Sequence, residues 1–262
     1  MDDPADDRLA DYFELSDRAA RRLRERDELF VAEGVTAIER LLESDHRVRS
    51  VLVTAKALAQ LTVPLAAYAG PVYVAERAVL NATVGFDLHR GAVAAADRRP
   101  LPVLDDVLAT GRRLAVMEGL NDPENLGAIA RSARALGIDG AVLDPTCIDP
   151  YYRRTIRVSM GEILFLPTAR ATAWPDDLDR VRAAGFEVWA LSPGPEGRSL
   201  WELSVPDRVA LLLGAEGPGL SAGALARADT RVRIPIAADI DSLNVGHAAA
   251  VAFSALGQLP QR

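Results

Sequence analysis

The sequence predicts an α/β protein whose C-terminal part is a doubly wound parallel sheet, and three observations lead there. From residue 113 onward, short runs rich in Val, Leu and Ile recur without strict alternation: Leu114 to Met117, Gly140 to Leu143, Ile163 to Leu166, Phe186 to Leu191, Val209 to Leu213 and Val232 to Ile234. Strands buried on both faces of a parallel sheet read this way. Helical patterns separate the runs, as crossover connections between parallel strands require. Three of the runs lead into a polar turn and a helix start, at 121–131, 213–221 and 233–248. That is the arrangement by which α/β proteins hold small ligands beyond the carboxyl ends of their strands.

At 262 residues the chain has room for about two domains of ordinary size. Hydrophobic residues make up 49% and charged residues 26%, an ordinary globular balance that gives no support to long disorder. No apolar run approaches the roughly 18 residues of a membrane span. The start, Met1-Asp-Asp-Pro-Ala-Asp-Asp, is acidic where a signal peptide would be basic, so a cytoplasmic protein is expected. Cys147 is the single cysteine and His46, His89 and His247 lie far apart, so neither an intrachain disulfide nor a metal site is expected. The net charge of −7 argues against nucleic acid only as a whole-chain average. Arginines cluster locally: Arg18, Arg21, Arg22, Arg24 and Arg26, then Arg98 and Arg99, Arg112 and Arg113, and Arg153, Arg154 and Arg157. Lys56 is the only lysine. Each cluster reads first as a solvated face and gains meaning only where a motif sets it beside a site.

In chain order, residues 1–12 carry Asp2, Asp3, Asp6, Asp7 and Asp11 with little to pack, and are read as a loose acidic tail. Leu15 to Glu28 is expected to be a helix whose arginines, at 18, 21, 22 and 26, make one face cationic. Then come strand Leu29 to Val31, helix Gly34 to Leu42, strand Val48 to Thr54, helix Ala55 to Leu61, and strands Val72 to Ala75 and Gly91 to Ala96. These make a small α/β domain over 13–108, with Arg98-Arg-Pro-Leu-Pro102 as linker chemistry near its end. The second domain spans 109–262.

After Leu114 to Met117, Asp122 can cap a helix with Pro123 at its first position. Leu126, Ile129, Ala130, Ala133 and Leu136 follow helical spacing up to Gly137. Packing accounts for that stripe but not for Asn125 in the first turn or Arg131 off the stripe. A helix start with free N–H groups and a fork-shaped cation further along suit a phosphate. Gly214-Ala-Glu-Gly-Pro-Gly-Leu-Ser221 holds three glycines in six residues, so its backbone turns sharply and approaches something closely. The glycine order is neither a dinucleotide fingerprint nor a P-loop. Glu216 suits a hydroxyl or a cation better than a phosphate, or else caps the helix near Ser221. In the third stretch Ser242 and Asn244, both common caps, stand before a helix whose buried face is Val245, Ala248, Val251, Ala252, Ala255 and Leu259.

In order and spacing these stretches closely resemble motifs one, two and three of the SpoU/TrmH branch of the SPOUT RNA methyltransferases. The matching residues are Asn125-Leu-Gly-Ala-Ile-Ala-Arg131, Gly214-Ala-Glu-Gly-Pro-Gly-Leu220, and Ile234-Pro-Ile236 with Ser242-Leu-Asn-Val245. Arg157-Val-Ser-Met-Gly161 before Leu166-Pro167 is similar to the family's connecting segment. The resemblance runs from Arg113 to the end. It implies a deep trefoil knot and S-adenosylmethionine bound in a bent form, with Gly214, Ile234 and Leu243 as contacts and Leu191, Ser192 and Gly219 as neighbours. It also implies a homodimer in which Arg131 of one subunit completes the other's site. The implied reaction is methylation of a ribose 2′-hydroxyl in rRNA, or less readily tRNA. The N-terminal domain is similar to the small RNA-binding domain that often precedes the catalytic one, through Phe30-Val-Ala-Glu-Gly34 and the helix after it. Arg18, Arg21, Arg22, Arg26, Arg153 and Arg154 are then its expected RNA contacts.

Asn125, Arg131, Glu216, Ser242 and Asn244 are the polar residues expected to carry the chemistry. An in-line displacement needs alignment and help in removing the hydroxyl proton. Arginine is not normally deprotonated in a protein. Arg131 is therefore expected to anchor a phosphate and stabilise the developing alkoxide, with the base open between a perturbed Arg131 and a bound phosphate oxygen. Ser242 and Asn244 would orient the ribose, and Glu216 would hold neighbouring side chains or the hydroxyl. The sequence departs from the third motif at Ala238, where the family commonly has Gly, and at Gly246-His247. The alternative is a non-catalytic RNA-binding protein that retains the knotted fold. A dinucleotide-dependent oxidoreductase is opposed by the missing fingerprint.

Overall fold

In the computed structural model the described residues are 1–15, 28–237 and 239–257. The expected cationic helix, with Arg18, Arg21, Arg22 and Arg26, and the departure at Ala238 lie outside them, Leu15 and Glu28 excepted. The chain forms two compact units: Met1–Pro100 with Tyr151–Leu164, and Leu101–Pro150 with Phe165–Arg262. In chain order the first hundred residues contribute β1 (Leu29–Glu33), α1 (Val35–Glu43), β2 (Val48–Val53), α2 (Ala55–Leu61), β3 (Val72–Val74), α3 (Arg77–Val84) and β4 (Ala92–Asp97). Next come α4 (Leu104–Thr110), β5 (Arg113–Met117), α5 (Pro123–Ala135), β6 (Gly140–Leu143), α6 (Arg153–Val158) and β7 (Thr168–Arg170). The rest is α7 (Asp177–Ala183), β8 (Glu187–Leu191), β9 (Arg198–Ser199), β10 (Val209–Leu213), α8 (Ala222–Arg227), β11 (Thr230–Arg233) and α9 (Val245–Leu256).

The first unit is a four-stranded sheet in the order β1-β4-β2-β3. β4 runs antiparallel to β1 and β2, while β2 and β3 are parallel. Residues 1–12 do not form the loose tail expected of them. Asp7–Tyr12 is a 3-10 helix that buries Leu9 and Tyr12, and these, with Leu15 from the turn that follows, join the core of Leu52, Leu80 and Val93. Tyr12 shares a buried hydrogen bond of 2.8 Å with Ser50 Oγ. The segment 151–164 belongs to this unit as well. Tyr151 stacks on Phe30, and Arg153 and Arg157 of α6 both donate to the buried carboxylate of Glu33.

The second unit is a seven-stranded sheet, order β7-β6-β5-β10-β8-β11-β9, with every pairing parallel. Its central strand β10, Val-Ala-Leu-Leu-Leu, is buried at every position, which is why the run lacks alternation. α4 packs into this core through Leu104, Val107 and Leu108, so it leaves the N-terminal domain that was expected to reach 108. The strand expected at Ile163 to Leu166 is instead a 3-10 turn, Glu162–Phe165, and the strand follows at β7. Gly161 at φ +83 precedes the turn and Pro167 follows it, so no extended run fits between them. α5 buries Leu126, Ile129, Ala130 and Ala133 as its spacing predicts, worth about 1.5–3 kcal/mol for each fully buried large side chain.

Candidate active site

The carboxyl ends of β8, β10 and β11 open into a cavity of about 630 Å³, where open parallel sheets hold ligands. Leu191 and Ser192 continue β8, Gly214 to Leu220 continue β10, Ile234 and Ile236 follow β11, and Ser242 to Val245 close it from the start of α9. Backbone geometry makes this shape. A Cβ on Gly214 would stand 2.5 Å from the carbonyl carbon of Gly219 and 2.6 Å from the nitrogen of Leu220, both backbone atoms that cannot swing away. Gly217 and Gly219 sit at φ +87 and +70, the left-handed region that favours glycine. The N–H of Gly219 donates to the carbonyl of Ala215 at 3.0 Å and locks the turn.

Asn244 joins the three motifs. Its Oδ1 accepts from the N–H groups of Gly246 and His247, at 2.9 and 3.2 Å, and so caps α9. Its Nδ2 donates to Asn125 Oδ1 at 2.9 Å and to Glu216 Oε1 at 2.5 Å. Asn125 is 7% exposed in the first turn of α5, a helix capped by Asp122 accepting from the N–H of Glu124 with Pro123 at its first position. One amide therefore ties the turn after β5, the turn after β10 and the start of α9. Gly246 permits the close approach of α9 to α5, since a Cβ there would meet Ala128 Cβ at 3.3 Å and Asn244 Oδ1 at 3.2 Å.

A second support was not read from the sequence. Glu118, 8% exposed at the end of β5, accepts from Trp174 Nε1 at 2.6 Å and from both the N–H and the hydroxyl of Ser221 at 2.7 Å. Ser221 in turn accepts from Ala224 N–H and caps α8. Ser221 itself is thus the cap near Glu216, and Glu216 serves Asn244. The one available signal for Glu118 was an acidic residue directly after a fully apolar strand. Cys147 lies behind the same turn, accepting from Leu120 N–H and donating to the Met117 carbonyl, each at 3.3 Å. Burial pushes its thiol up to about 12, which keeps it protonated.

Of the residues expected at the site, Gly214, Ile234, Leu243, Leu191, Ser192 and Gly219 all line the cavity, with Glu216, Ser242 and Asn244 at its mouth. Ser242 lines the cavity without capping α9. Asn125 stands behind Asn244, outside the lining. Arg131 is exposed on α5 and does not reach the cavity, and no partner engages it among the described residues. Arg153 is committed within the first unit, paired with Glu33 and lying over the Phe86 ring at 4.3 Å, so it is not the open RNA contact expected of it; Arg154 is exposed. Among the described residues no cluster of His, Cys, Asp or Glu could hold a metal ion.

An all-parallel α/β sheet with a glycine-cornered cavity at its carboxyl ends and a polar hub of converging turns defines a class, the α/β enzymes that bind a small cofactor there. Residues 112–254 match the model of the SpoU rRNA methylase family, and the chain belongs to that family. It is 44% identical over 255 residues to a Mycobacterium tuberculosis protein named as an uncharacterized tRNA/rRNA methyltransferase, spanning 96% of this chain and 88% of that one. The Bacillus subtilis 23S rRNA (guanosine(2553)-2′-O)-methyltransferase RlmP is 27% identical over 232 residues, 88% of this chain and 89% of that one. Among solved structures, an AdoMet-bound rRNA methyltransferase from Sinorhizobium meliloti is 26% identical, with a TM-score of 0.80 over 98% of this chain and 96% of that one.

Proposed function

We propose that this protein transfers a methyl group from S-adenosylmethionine to a ribose 2′-hydroxyl of structured RNA, rRNA before tRNA. The observation that carries the reading is the Asn244 amide bridging Asn125 and Glu216 at the mouth of the cavity. The rRNA preference is supported by the Bacillus subtilis relative, whose name specifies a 2′-O-methylation of 23S rRNA.

The cavity fits the cofactor. Its volume of about 630 Å³ suits an adenosyl group, Leu191, Ile234 and Leu243 offer apolar walls, and the Gly214 corner brings backbone polar groups close to whatever lies there. When bound, S-adenosylmethionine supplies an electrophilic methyl group on a sulfonium. The chain's own residues do the rest. Leu243 and Ile234 give the cavity an apolar wall, Ser242 orients the ribose, and the Asn244 amide, whose donors and acceptor are all engaged, holds Glu216 and Asn125 in register beside it. Arg131 anchors the phosphate beside the target ribose and stabilises the alkoxide as it forms, the hydroxyl proton passing either to a bound phosphate oxygen or to a perturbed Arg131.

Arg131 is exposed and stands outside the lining of the cavity at the carboxyl ends of β8, β10 and β11, which supports a homodimer through the second unit in which it completes the partner's site. A trefoil knot formed by the pass from 233 to 256, an RNA-binding role for the first unit that includes Arg154, and a cytoplasmic location belong to the same reading. No described helix is long and apolar enough to cross a membrane.

The test is transfer of labelled methyl from S-adenosylmethionine to deproteinised rRNA and tRNA, with the modified nucleotide mapped. Arg131→Ala should abolish transfer and leave cofactor affinity within about twofold, a loss that falls on the RNA and the reacting hydroxyl and spares the cofactor. Undiminished turnover in that variant would remove Arg131 from the chemistry. Wild-type protein that binds RNA but no S-adenosylmethionine would favour the non-catalytic RNA-binding alternative.

A further inference from the structure

The first unit carries a second cavity of different chemistry. Because β4 is antiparallel to both β1 and β2, and β3 is parallel to β2, the carboxyl ends of β1, β2 and β3 lie on one side of their sheet. α1, α2 and α3 each begin there, and the lead into β4 starts there. Between these turns is a cavity of about 300 Å³ lined by Thr36, Thr54, Lys56, Arg77, His89 and Arg90 among others, with no carboxylate in its wall. The single lysine of a chain with net charge −7 is here, beside two arginines, a histidine and two hydroxyls drawn from four separate turns. Asp87 lies 3.1 Å from His89 Nδ1, and it also accepts from Asn81 at 3.0 Å.

The walls are built to hold these cations in place. Gly34 stands at φ +92 with the Cδ of Arg90 3.0 Å from the site of a Cβ, so the arginine lies directly across the turn. Gly91 stands at φ +61 with Thr54 Oγ1 2.7 Å from its own Cβ site, packing the two turns against each other. Arg77 donates to the carbonyls of Leu88 and His89, at 3.4 and 3.3 Å, and fixes the loop that carries His89 and Arg90. The nine-residue α1 has Gly34 as its N-cap with no side-chain cap, and its first-turn residues Val35 and Thr36 line the cavity, which puts its free N–H groups and positive end beside the opening. Convergent cations, hydroxyls and a helix start are the donor set for a phosphate.

We infer that this cavity is a phosphate site for the RNA backbone, held chiefly by Lys56 and Arg90. The inference rests on the RNA-modifying activity proposed above and adds a specific docking point on the first unit. A phosphodiester is bound without regard to base, so the site sets register and leaves sequence to other contacts.

The experiment uses the full chain and deproteinised bacterial rRNA, with affinity measured across a salt series. Lys56→Ala with Arg90→Ala should weaken RNA binding at least tenfold at low salt and reduce the slope of log K against log salt by roughly 0.7 to 0.9, as expected when one phosphate is no longer neutralised. Thermal unfolding and calorimetric affinity for S-adenosylmethionine should stay at wild-type values, showing that the variant is folded. A control pair, Arg112→Ala with Arg231→Ala, removes the same charge elsewhere and should leave the slope unchanged. An unchanged slope in the Lys56 and Arg90 variant, or an equal loss in the control pair, overturns the inference. ATP and inorganic phosphate are titrated separately. Saturable ATP binding that competes with RNA and is lost in the variant would assign the site to a free nucleotide and overturn the RNA assignment. RNA binding lost through these residues in a protein that transfers no methyl would support the pocket while overturning the reaction proposed above.

Discussion

Replacing Asn244 by Asp separates the two tasks of that side chain. The carboxylate still accepts from the N–H groups of Gly246 and His247, and Asp caps a helix about as well as Asn. What disappears is the Nδ2 donor that reaches Asn125 and Glu216. The bond to Asn125 is worth about 1 kcal/mol. The contact with Glu216 becomes a carboxylate facing a carboxylate, costing about 1 kcal/mol when exposed to water at such a distance. A total of ~2 kcal/mol corresponds to roughly 4–8 °C for a domain of this size. Scanning calorimetry of Asn244→Asp should show that drop together with weakened binding of S-adenosylmethionine. Adding Glu216→Gln removes the repulsion and supplies a donor, so the double variant should recover at least half of the loss, a coupling that two independent sites would not show. Wild-type unfolding in the single variant, or simple additivity in the double, would refute the claim that this amide joins the motifs.

Three further outcomes follow from the geometry. Gly214→Ala forces a Cβ to within 2.5 Å of backbone; it should cost ~1–3 kcal/mol of stability and abolish cofactor binding in calorimetry. Glu118→Ala strands the Trp174 and Ser221 donors and should cost roughly 2–4 kcal/mol by denaturant unfolding, with Glu118→Gln keeping part of the network. Burial pushes the Asp177 carboxyl up, yet the N–H of Ala173, the Arg180 guanidinium and the N–H of Thr172 outweigh it and hold it below its usual 3.8. A folded value below the unfolded one stabilises the protein above pH 3.8, and that stability is lost as pH falls through the folded value. Asp177→Asn should therefore be less stable than wild type at neutral pH, with the gap closing below pH 3.8 in unfolding curves.

The candidate site was legible where it is local. Asn125, Glu216 and Asn244 each stand at a fixed place in a strand–turn–helix segment, so the pattern that predicts the segment also locates the side chain. Gly214 was legible as a close approach, although not what it approaches. Glu118 was not legible, because its donors come from residues 174 and 221 and only the packed sheet brings them to the end of β5. Strand order was hidden for the same reason: β10 enters between β5 and β8, an arrangement that no local pattern records. The N-terminal segment was misread because its many aspartates mask Leu9 and Tyr12, three apart on one face of a 3-10 helix, and Leu15 in the turn after it, all of them buried. Arg153 looked like part of an exposed basic cluster because its partner, Glu33, is 120 residues away.

The excursion 151–164 has a consequence for how this chain can be divided. The chain passes from one unit to the other at 100, at 150 and again at 164, so the first unit is discontinuous in sequence although compact in space. A fragment ending at Pro100 would lack Tyr151 against Phe30 and the two arginines against Glu33, leaving an apolar ring and a buried carboxylate without their cover. Recombination between relatives at a single crossover would part these surfaces from the residues that evolved to match them. Only an exchange that carries 151–164 along with the first hundred residues transplants the unit whole.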